Sequence, residues 1–373
     1  LEIIRQQRVP LRLLAVQALR DHMPLGDVNC AKIDDDLAGY QAGWYGEQNL
    51  AYYLSTLTDS STRILYDLRE NVLEHTFQMD SFLFFDAFAL IIEAKNYSGT
   101  LTFEPSGRQM IRTIGNQRTG FSNPLIQVGR HREMLFAWLA DHGLPRIPLE
   151  TLVTISNPAT IIENPGHSRD VADKVLHAEQ ILFKIQTLSE KYQHSSAITA
   201  AVPRIEQLLI QEHTDPPRDT LGHYHIRFED LQRGVRCPKC RLFTVDYAHA
   251  TWTCRRCSHT SRIAHVPMIL DYFLLRSPTI TNKQCREWLG VEDRHLITRL
   301  LRNMNLTRKG SGTGSGQYYK QPSYDWFEHS YNEHIEQRKS MKKIDLDEPL
   351  RKSCAAPNPA GAAPKPLEPA PNL

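Results

Sequence analysis

The chain has no stretch long and apolar enough to span a bilayer; its densest apolar run, residues 82–92, is too short and is broken by Asp86. No membrane is therefore expected among its partners. No signal-peptide pattern opens it, since Glu2 and Arg5 come early, and it begins at Leu1 rather than Met, which reads as a trimmed start. An excess of one charge is also missing. The chain has 44 Lys and Arg against 42 Asp and Glu, so bulk charge selects no class of partner and only local charge is informative. A disulfide framework is absent as well. Of seven cysteines, Cys30, Cys285 and Cys354 are scattered and the other four are paired at metal spacing, which points to a reducing, cytoplasmic setting. There is no internal repeat. The 373 residues leave room for two or three domains.

What is present is organised around residues 77–95, two apolar strands joined by a turn at Asp86-Ala87. Each strand delivers charge where core residues are expected. Strand alternation puts Ile91, Glu93 and Lys95 on one face of the second strand, and Gln78, Asp80 and Phe82 on one face of the first. Two carboxylates and an amine inside an apolar hairpin are costly unless they meet each other, a metal or a substrate. A hard divalent cation takes a few carboxylate oxygens and keeps water in its shell. Beside a lysine, such a centre suits phosphodiester hydrolysis. The bland alternative is an edge hairpin with salt-bridged charges.

The flanking segments supply a core for this hairpin. Residues 1–25 read as an amphipathic helix with Leu11, Leu13, Leu14, Val16 and Leu19 on its apolar side, packing as an accessory arm; a membrane-surface helix is the lesser alternative. A polar link at Asp34-Asp35-Asp36 leads into a core helix over residues 38–57. Glu47, one turn before Leu50, stands at the edge of that helix's apolar side, either as a third carboxylate or as a surface residue. Short strands are expected at 64–68, 100–103, 109–114 and 152–155, making a small mixed sheet. Asn123-Pro124 supplies an N-cap and a first-turn proline for a helix whose apolar face is Leu125, Val128, Leu135, Trp138 and Leu139. Gln127 falls in its first turn, with Arg130 and His131 one turn on. Residues 168–214 read as helical, with no visible chemistry, and His177, His194 and His213 read as structural.

The order Asp, then Glu-x-Lys resembles the core of the restriction-endonuclease-like nucleases, the PD-(D/E)xK group. The wider frame resembles the nuclease-related domain (NERD) family over roughly residues 40–160. It consists of Gly46-Glu47, Gln78-Met79-Asp80, Glu93-Ala94-Lys95-Asn96 followed by Ser98-Gly99, and Asn123-Pro124-Leu125-Ile126-Gln127. The resemblance implies an α/β fold with a restriction-endonuclease-like mixed sheet flanked by helices. It also implies catalytic roles for Glu47, Asp80, Glu93, Lys95 and Gln127, with Mg2+ or Mn2+ held by Asp80 and Glu93. In related nucleases a glutamine on such a helix orients water or the scissile phosphate; a Gln127 bonded to nearby backbone is the alternative.

Cys237-Pro-Lys-Cys240 and Cys254-Arg-Arg-Cys257 form two knuckles around a short strand–turn–strand segment, which fits a zinc ribbon with four thiolates. Four sulfur ligands leave no open position, so this Zn2+ is expected to be structural. The ribbon is basic, with Arg233, Arg236, Lys239, Arg241, Arg255, Arg256 and Arg262 against Asp246 alone, and with Tyr247 and Trp252 between the knuckles. Such a mixture suits phosphate contact and base stacking, or equally a solvated surface with Trp252 packed on the knuckle. Residues 267–322 resemble a winged helix-turn-helix. Thr281-Asn-Lys-Gln284 is a capping box, Gly290 a turn, and Leu296, Ile297, Leu300, Leu301 and Met304 the core side of a third helix. On its other side His295, Arg299 and Arg302 make a stripe suited to the major groove, although similar modules also dock proteins. Residues 310–316 read as a wing tip, and the chain from about 338 as a disordered tail.

The expected organisation is an arm (1–37), a nuclease-related domain (38–165), a helical segment (166–230), a zinc ribbon (231–265), a winged helix (266–322) and a mostly disordered tail (323–373). Three functional readings follow. The first is a metal-dependent nuclease acting on nucleic acid, DNA before RNA, with its own binding appendages. The second is a nucleic-acid-binding accessory whose core no longer cuts. The third is a protein-interaction scaffold that uses zinc only for folding. Oligomeric state is not encoded in any of these signals.

Overall fold

A computed structural model describes residues 1–24, 26–217, 219–310 and 316–343, with side chains as far as residue 336. The body of the expected wing tip, the tail from residue 344 and Cys354 lie outside the described residues. In chain order the first elements are β1 (Glu2–Arg5), α1 (Leu11–His22), α2 (Cys30–Leu54), β2 (Arg63–Val72), β3 (His75–Phe84), β4 (Ala89–Lys95), β5 (Thr100–Phe103), β6 (Gln109–Ile114) and β7 (Gln117–Ser122). They are followed by α3 (Pro124–Asp141), β8 (Leu149–Ile155), β9 (Ile161–Glu163), α4 (Arg169–Lys174), β10 (Val175–His177), α5 (Ile181–Tyr192) and α6 (Val202–Glu212). The remainder comprises α7 (Thr220–His223), β11 (Val245–Ala248), β12 (Thr251–Cys254), β13 (Thr260–Ser261), α8 (His265–Leu275), β14 (Thr279–Ile280), α9 (Asn282–Leu289), α10 (Arg294–Asn303), β15 (Arg308–Lys309), β16 (Tyr318–Lys320) and α11 (Tyr324–Lys343). These residues form two compact units, Leu1–Gln17 with Asp35–Thr220, and Ala18–Asp34 with the described residues from Leu221 onward.

The first unit is built on a six-stranded sheet ordered β1-β2-β3-β4-β8-β10. The centre, β2-β3-β4, is an antiparallel meander, and β1, β8 and β10 join it in parallel. Parallel strands need cover on both faces, and both are covered. On one, Leu65, Phe82, Phe84 and Ile91 pack against Leu135 and Trp138 of α3 and Ile205 and Leu209 of α6. On the other, Ile64, Leu83, Leu90 and Ile92 pack against Leu50 and Leu54 of α2 and Ile181 and Leu188 of α5. The expected α/β class, a mixed sheet flanked by helices, is the one observed.

Several expectations need correction. Residues 1–25 are not one helix: Glu2–Arg5 form an edge strand parallel to β2, in register with residues more than fifty positions on. Asp34, Asp35 and Asp36 do not link two elements; they lie inside α2, whose Ile33 and Leu37 are buried on either side of them. In the segment expected to be helical, Val175–His177 is a strand paired in parallel with β8. The short strands after Gly99 form a second sheet, β7-β6-β5-β9, rather than an extension of the first. A tail starting at 323 is corrected too, because Tyr324–Lys343 is helical, with Phe327, Tyr331 and His334 buried at helical spacing.

Two local devices set α2 and α3. Asn123 caps α3 by accepting the Leu125 N–H (2.9 Å) and donates its own amide to the Gly107 carbonyl (2.8 Å). Helix α2 closes on the end of β4 at Gly46. A Cβ there would lie 2.7 Å from Asn96 Cβ and 3.3 Å from Ser156 Oγ. Asn96 Nδ2 donates to the Ala42 carbonyl and Ser156 Oγ to the Gly46 carbonyl, each at 2.8 Å. Glycine is required there for close approach, and the next residue is Glu47.

The second unit includes a three-stranded antiparallel sheet, β11-β12-β13, the helices α8, α9, α10 and α11, and a small antiparallel sheet ordered β14-β16-β15. The expected capping box at Thr281 and Gln284 is formed, and Gly290 ends α9 in the left-handed region at φ 66°. Arg236 is 5% exposed and ion-paired with Asp21 at 2.9 Å; Arg241 reaches the same carboxylate oxygen at 2.7 Å. Burial opposes ionisation of Asp21, but Arg236, Arg241 and His334 outweigh it and hold its carboxyl well below the ordinary range.

Gly46→Ala should cost about 1–3 kcal/mol in denaturant unfolding, through overpacking against β4. Gly43→Ala on the same helix meets nothing within 4 Å and should instead be stabilising, by about 0.5–1 kcal/mol. Equal effects at the two positions would contradict the close approach at Gly46.

Candidate active site and metal centres

Asp80 owes its position to a break in strand alternation. Asp67, in the middle of β2, has φ 50°, in the left-handed region that Asp tolerates better than most residues. Around it both strands exchange faces. Leu65 and Leu68 share one core cluster with Phe77, Met79, Phe82 and Phe84, which uniform alternation forbids. The expected shared face of Gln78, Asp80 and Phe82 is thereby corrected: Phe82 is in the core, and exposed Gln78 donates to Asp67 Oδ1 at 2.6 Å. The β3–β4 register runs as far as Ser81 opposite Ile92. Beyond it the Asp80 side chain takes over, accepting the Ala94 N–H through Oδ2 at 2.8 Å.

Glu93 is 3% exposed, on the central strand β4 between β3 and β8. Its Oε1 accepts from Lys95 Nζ at 2.7 Å and from Gln127 Nε2 at 2.6 Å. Three of the expected residues therefore meet on one oxygen, and Gln127 bonds to a side chain rather than to backbone. The other oxygen, Oε2, is buried without a hydrogen-bond partner. His131 Nδ1 stands 3.8 Å from it, too far for a hydrogen bond, and is also unpartnered.

Electrostatics tie Glu47 to the same cluster. Burial raises its carboxyl, and Asp80, Asp67 and Glu93 add to the effect, pushing it up to about 9 against the pull of Lys95. Asp80 is pushed up to about 8 by burial and Glu93, against Lys95 and the Ala94 N–H. Burial pulls the Lys95 ammonium down, but Glu93 and Asp80 outweigh it and hold its pKa above the ordinary value. Burial lowers His131. Glu47, Asp80 and Glu93 thus share Lys95, while Asp67 beside them faces Arg5 and His213. A cation fits this donor set: one buried carboxylate oxygen lacks a hydrogen-bond partner, and burial with mutual repulsion raises the two neighbouring carboxyls. The acids do not close into a compact cage. Among the described residues, the one set of three or more His, Cys, Asp or Glu ligand atoms lying within 4.8 Å of each other is the cysteine cluster. Asp67 and His131 were not expected in this site; the visible signal for Asp67 was an acid inside the apolar run of β2.

That cysteine cluster is Cys237, Cys240, Cys254 and Cys257. The sulfurs of Cys237 and Cys257 are 3.6 Å apart, as are those of Cys240 and Cys254. A tetrahedron with Zn–S of about 2.3 Å has edges of about 3.8 Å, so the four sulfurs are spaced for zinc. Burial drives the Cys237 thiol up to about 12. Burial also opposes ionisation of Cys254, but the Thr244 hydroxyl and the N–H groups of Cys257 and Arg256 bring it down to about 6. Of the basic residues around the knuckles, Arg236 and Arg241 are committed to Asp21 and must be removed from the basic surface. Arg255 pairs with Asp246 at 3.0 Å, and Arg256 is exposed. Trp252 is 1% exposed and donates to His265 Nδ1, so it packs inward and offers no stacking platform. On α10, His295, Arg299 and Arg302 are exposed while Leu296, Ile297, Leu300 and Leu301 are buried. Arg299 donates to the Tyr247 hydroxyl at 3.1 Å.

Two measurements check these assignments. In the unfolded chain Glu47 and Asp80 titrate near about 4, so between there and their folded values the folded state keeps protons that the unfolded state has released. Their contribution to stability is complete below that window and is lost as pH rises through it. In buffer free of added divalent ions, melting temperature should fall from about pH 5 to about pH 9, and Asp80→Asn should flatten the fall. Elemental analysis should find about one zinc per chain, lost in Cys240→Ser; a parent protein purified without zinc that folds fully would contradict the cluster's role.

The family model described as nuclease-related domain matches residues 42–156, the span from α2 through β8 that holds Glu47, Asp80, Glu93, Lys95 and Gln127. No curated protein and no solved structure matches the chain. Over residues 42–156 the chain is therefore similar to the nuclease-related domain family.

Proposed function

We propose that the protein is a metal-dependent nuclease that hydrolyses phosphodiester bonds in nucleic acid, DNA before RNA. The observation that carries this reading is the Glu93 carboxylate, buried with one free oxygen inside a cluster of acids around Lys95. Asp80 and Glu93, with the Ala94 carbonyl, would hold Mg2+ or Mn2+, and Glu47 would serve a second ion or its water. Bound there, the ion supplies Lewis acidity toward the phosphoryl group and activation of water. Lys95 orients the attacking water and offsets negative charge as it develops. Gln127, fixed on Glu93 Oε1, lies one α3 turn from the Asn123 cap and orients the phosphate. The nuclease-related match supports the reaction class.

In the same reading the cysteine cluster holds structural Zn2+, and the order α8-β14-α9-α10-β15-β16 is a winged helix-turn-helix. Arg255, Arg256, His295, Arg299 and Arg302 contact nucleic acid. No helix among the described residues is long and apolar enough to cross a membrane, and the proposed setting is the cytoplasm, where thiolates stay reduced for zinc. One observation favours a core that binds without cutting: Glu47, Asp80 and Glu93 do not close to within 4.8 Å as a set.

Plasmid and single-stranded DNA incubated with Mg2+, Mn2+ or chelator distinguish the two. Cutting should appear only with metal, and Asp80→Ala, Glu93→Ala and Lys95→Ala should each lower it by at least about a hundredfold while leaving DNA binding intact. Undiminished cutting by all three variants would overturn the mechanism. Binding with no cutting by the parent would establish the accessory reading.

A further inference from the structure

One stretch of the first unit is basic in a way the carboxylate site does not use. From Pro105 to Arg132 the chain has no Asp or Glu, although 42 acids in 373 residues would place about three in such a length. It carries Arg108, Arg112, Arg118, Arg130 and Arg132. Arg132 pairs with Glu133 at 3.0 Å. Arg108, Arg118 and Arg130 are exposed, with no ion pair among the described residues.

The fold gathers these residues beside the candidate site. β6 and β7 make a two-stranded ribbon in register from Gln109 opposite Ser122 to Ile114 opposite Gln117. At its base Met110 is buried and Phe121 packs in a cluster with Tyr97, Leu125 and Val128, which ties the ribbon to the first turns of α3. Tyr97 lies two residues after Lys95, and Arg112 donates to the Ser98 carbonyl at 3.1 Å, its guanidinium over the Tyr97 ring. Toward the tip, cover ends. Every residue from Ile114 to Gly120 is exposed, and β7 is the edge of its sheet. An exposed edge strand invites unwanted pairing unless charge or a partner protects it, and here the charge is of one sign.

We propose that the β6–β7 ribbon is a duplex-gripping arm. Its tip, with Arg118 and Gln117, enters a groove of double-stranded nucleic acid, and Arg130 takes a backbone phosphate one α3 turn beyond Gln127. A two-stranded ribbon is the right width for the major groove of B-DNA, and arginines without acidic neighbours suit phosphate. The inference rests on the reading of residues 42–156 as acting on nucleic acid, and it makes the substrate a duplex.

The test is binding by the full chain, with zinc bound and no Mg2+, so that cutting plays no part. The probes are a labelled DNA duplex and a single strand of the same sequence, titrated at several salt concentrations. Arg118→Glu with Arg130→Glu should weaken duplex binding by about tenfold or more, and should reduce the slope of log affinity on log salt by about 0.9 for each phosphate no longer neutralised. Arg204→Glu, an exposed charge reversal on α6, should leave both unchanged. A photo-crosslinking amino acid at position 117 should capture the duplex. Parental duplex affinity and slope in the double variant, with no crosslink, would overturn the proposal; so would weakening confined to the single strand. Because binding is read without cleavage, a protein that cuts nothing but shows the expected weakening on duplex retains the arm and forfeits only the nuclease reading.

Discussion

The site depends on a carboxylate that the sheet buries and only half satisfies. Glu93 sits on an inner strand, its side chain projects from the sheet toward Gln127 and His131 of α3, and it is 3% exposed. One oxygen is held twice over, by Lys95 and Gln127, and the other is left bare beside His131. Leaving a buried acceptor unsatisfied costs about 1–3 kcal/mol. In the proposed reading a bound cation would satisfy that oxygen. The raised carboxyls of Glu47 and Asp80 have the same origin: burial and the neighbouring acids both oppose their ionisation.

The second constraint is the kink at Asp67. A regular hairpin sends alternate residues to alternate faces, and an acid at Asp80 would then displace a core residue or face solvent. By passing through the left-handed region once, β2 shifts the alternation of both strands together, so Phe77, Met79, Phe82 and Phe84 all stay in one core. Asp80 is left at the switch point, free of the regular pleat and bonded to the Ala94 N–H. The local distortion and the placement of the acid are one feature.

Much of this was legible because it rests on short-range spacing. The hairpin, the Asn123 cap, the Thr281 box and the cysteine knuckles are each set within a few residues, and each formed as read. Glu93 and Lys95, two apart on one strand, meet for the same reason. What escaped depends on distant partners. Glu2–Arg5 is too short to declare itself and becomes a strand only beside β2. Val175–His177 is a strand because β8 offers an edge. Arg236 and Arg241 looked like surface charge because Asp21 is remote in sequence. His131 gave no role because a histidine on an apolar helix face is ordinary until its unpartnered nitrogen is seen against Glu93. The three aspartates in α2 looked like a break because charge clusters often are, yet buried Ile33 and Leu37 carry the helix through.

The second unit is discontinuous: Ala18–Asp34 belongs with residues that come after Thr220. Its Asp21 bonds to Arg241 across 220 positions, and Arg241 flanks the first cysteine knuckle. During synthesis, therefore, that aspartate emerges from the ribosome long before the arginines that will neutralise it. The early segment has to wait, solvated, while nearly two hundred residues of the other unit are made. Biosynthetic order is thus built into the chain: a nascent protein stalled before the first cysteine knuckle would carry an acid whose partners Arg241 and His334 are not yet translated.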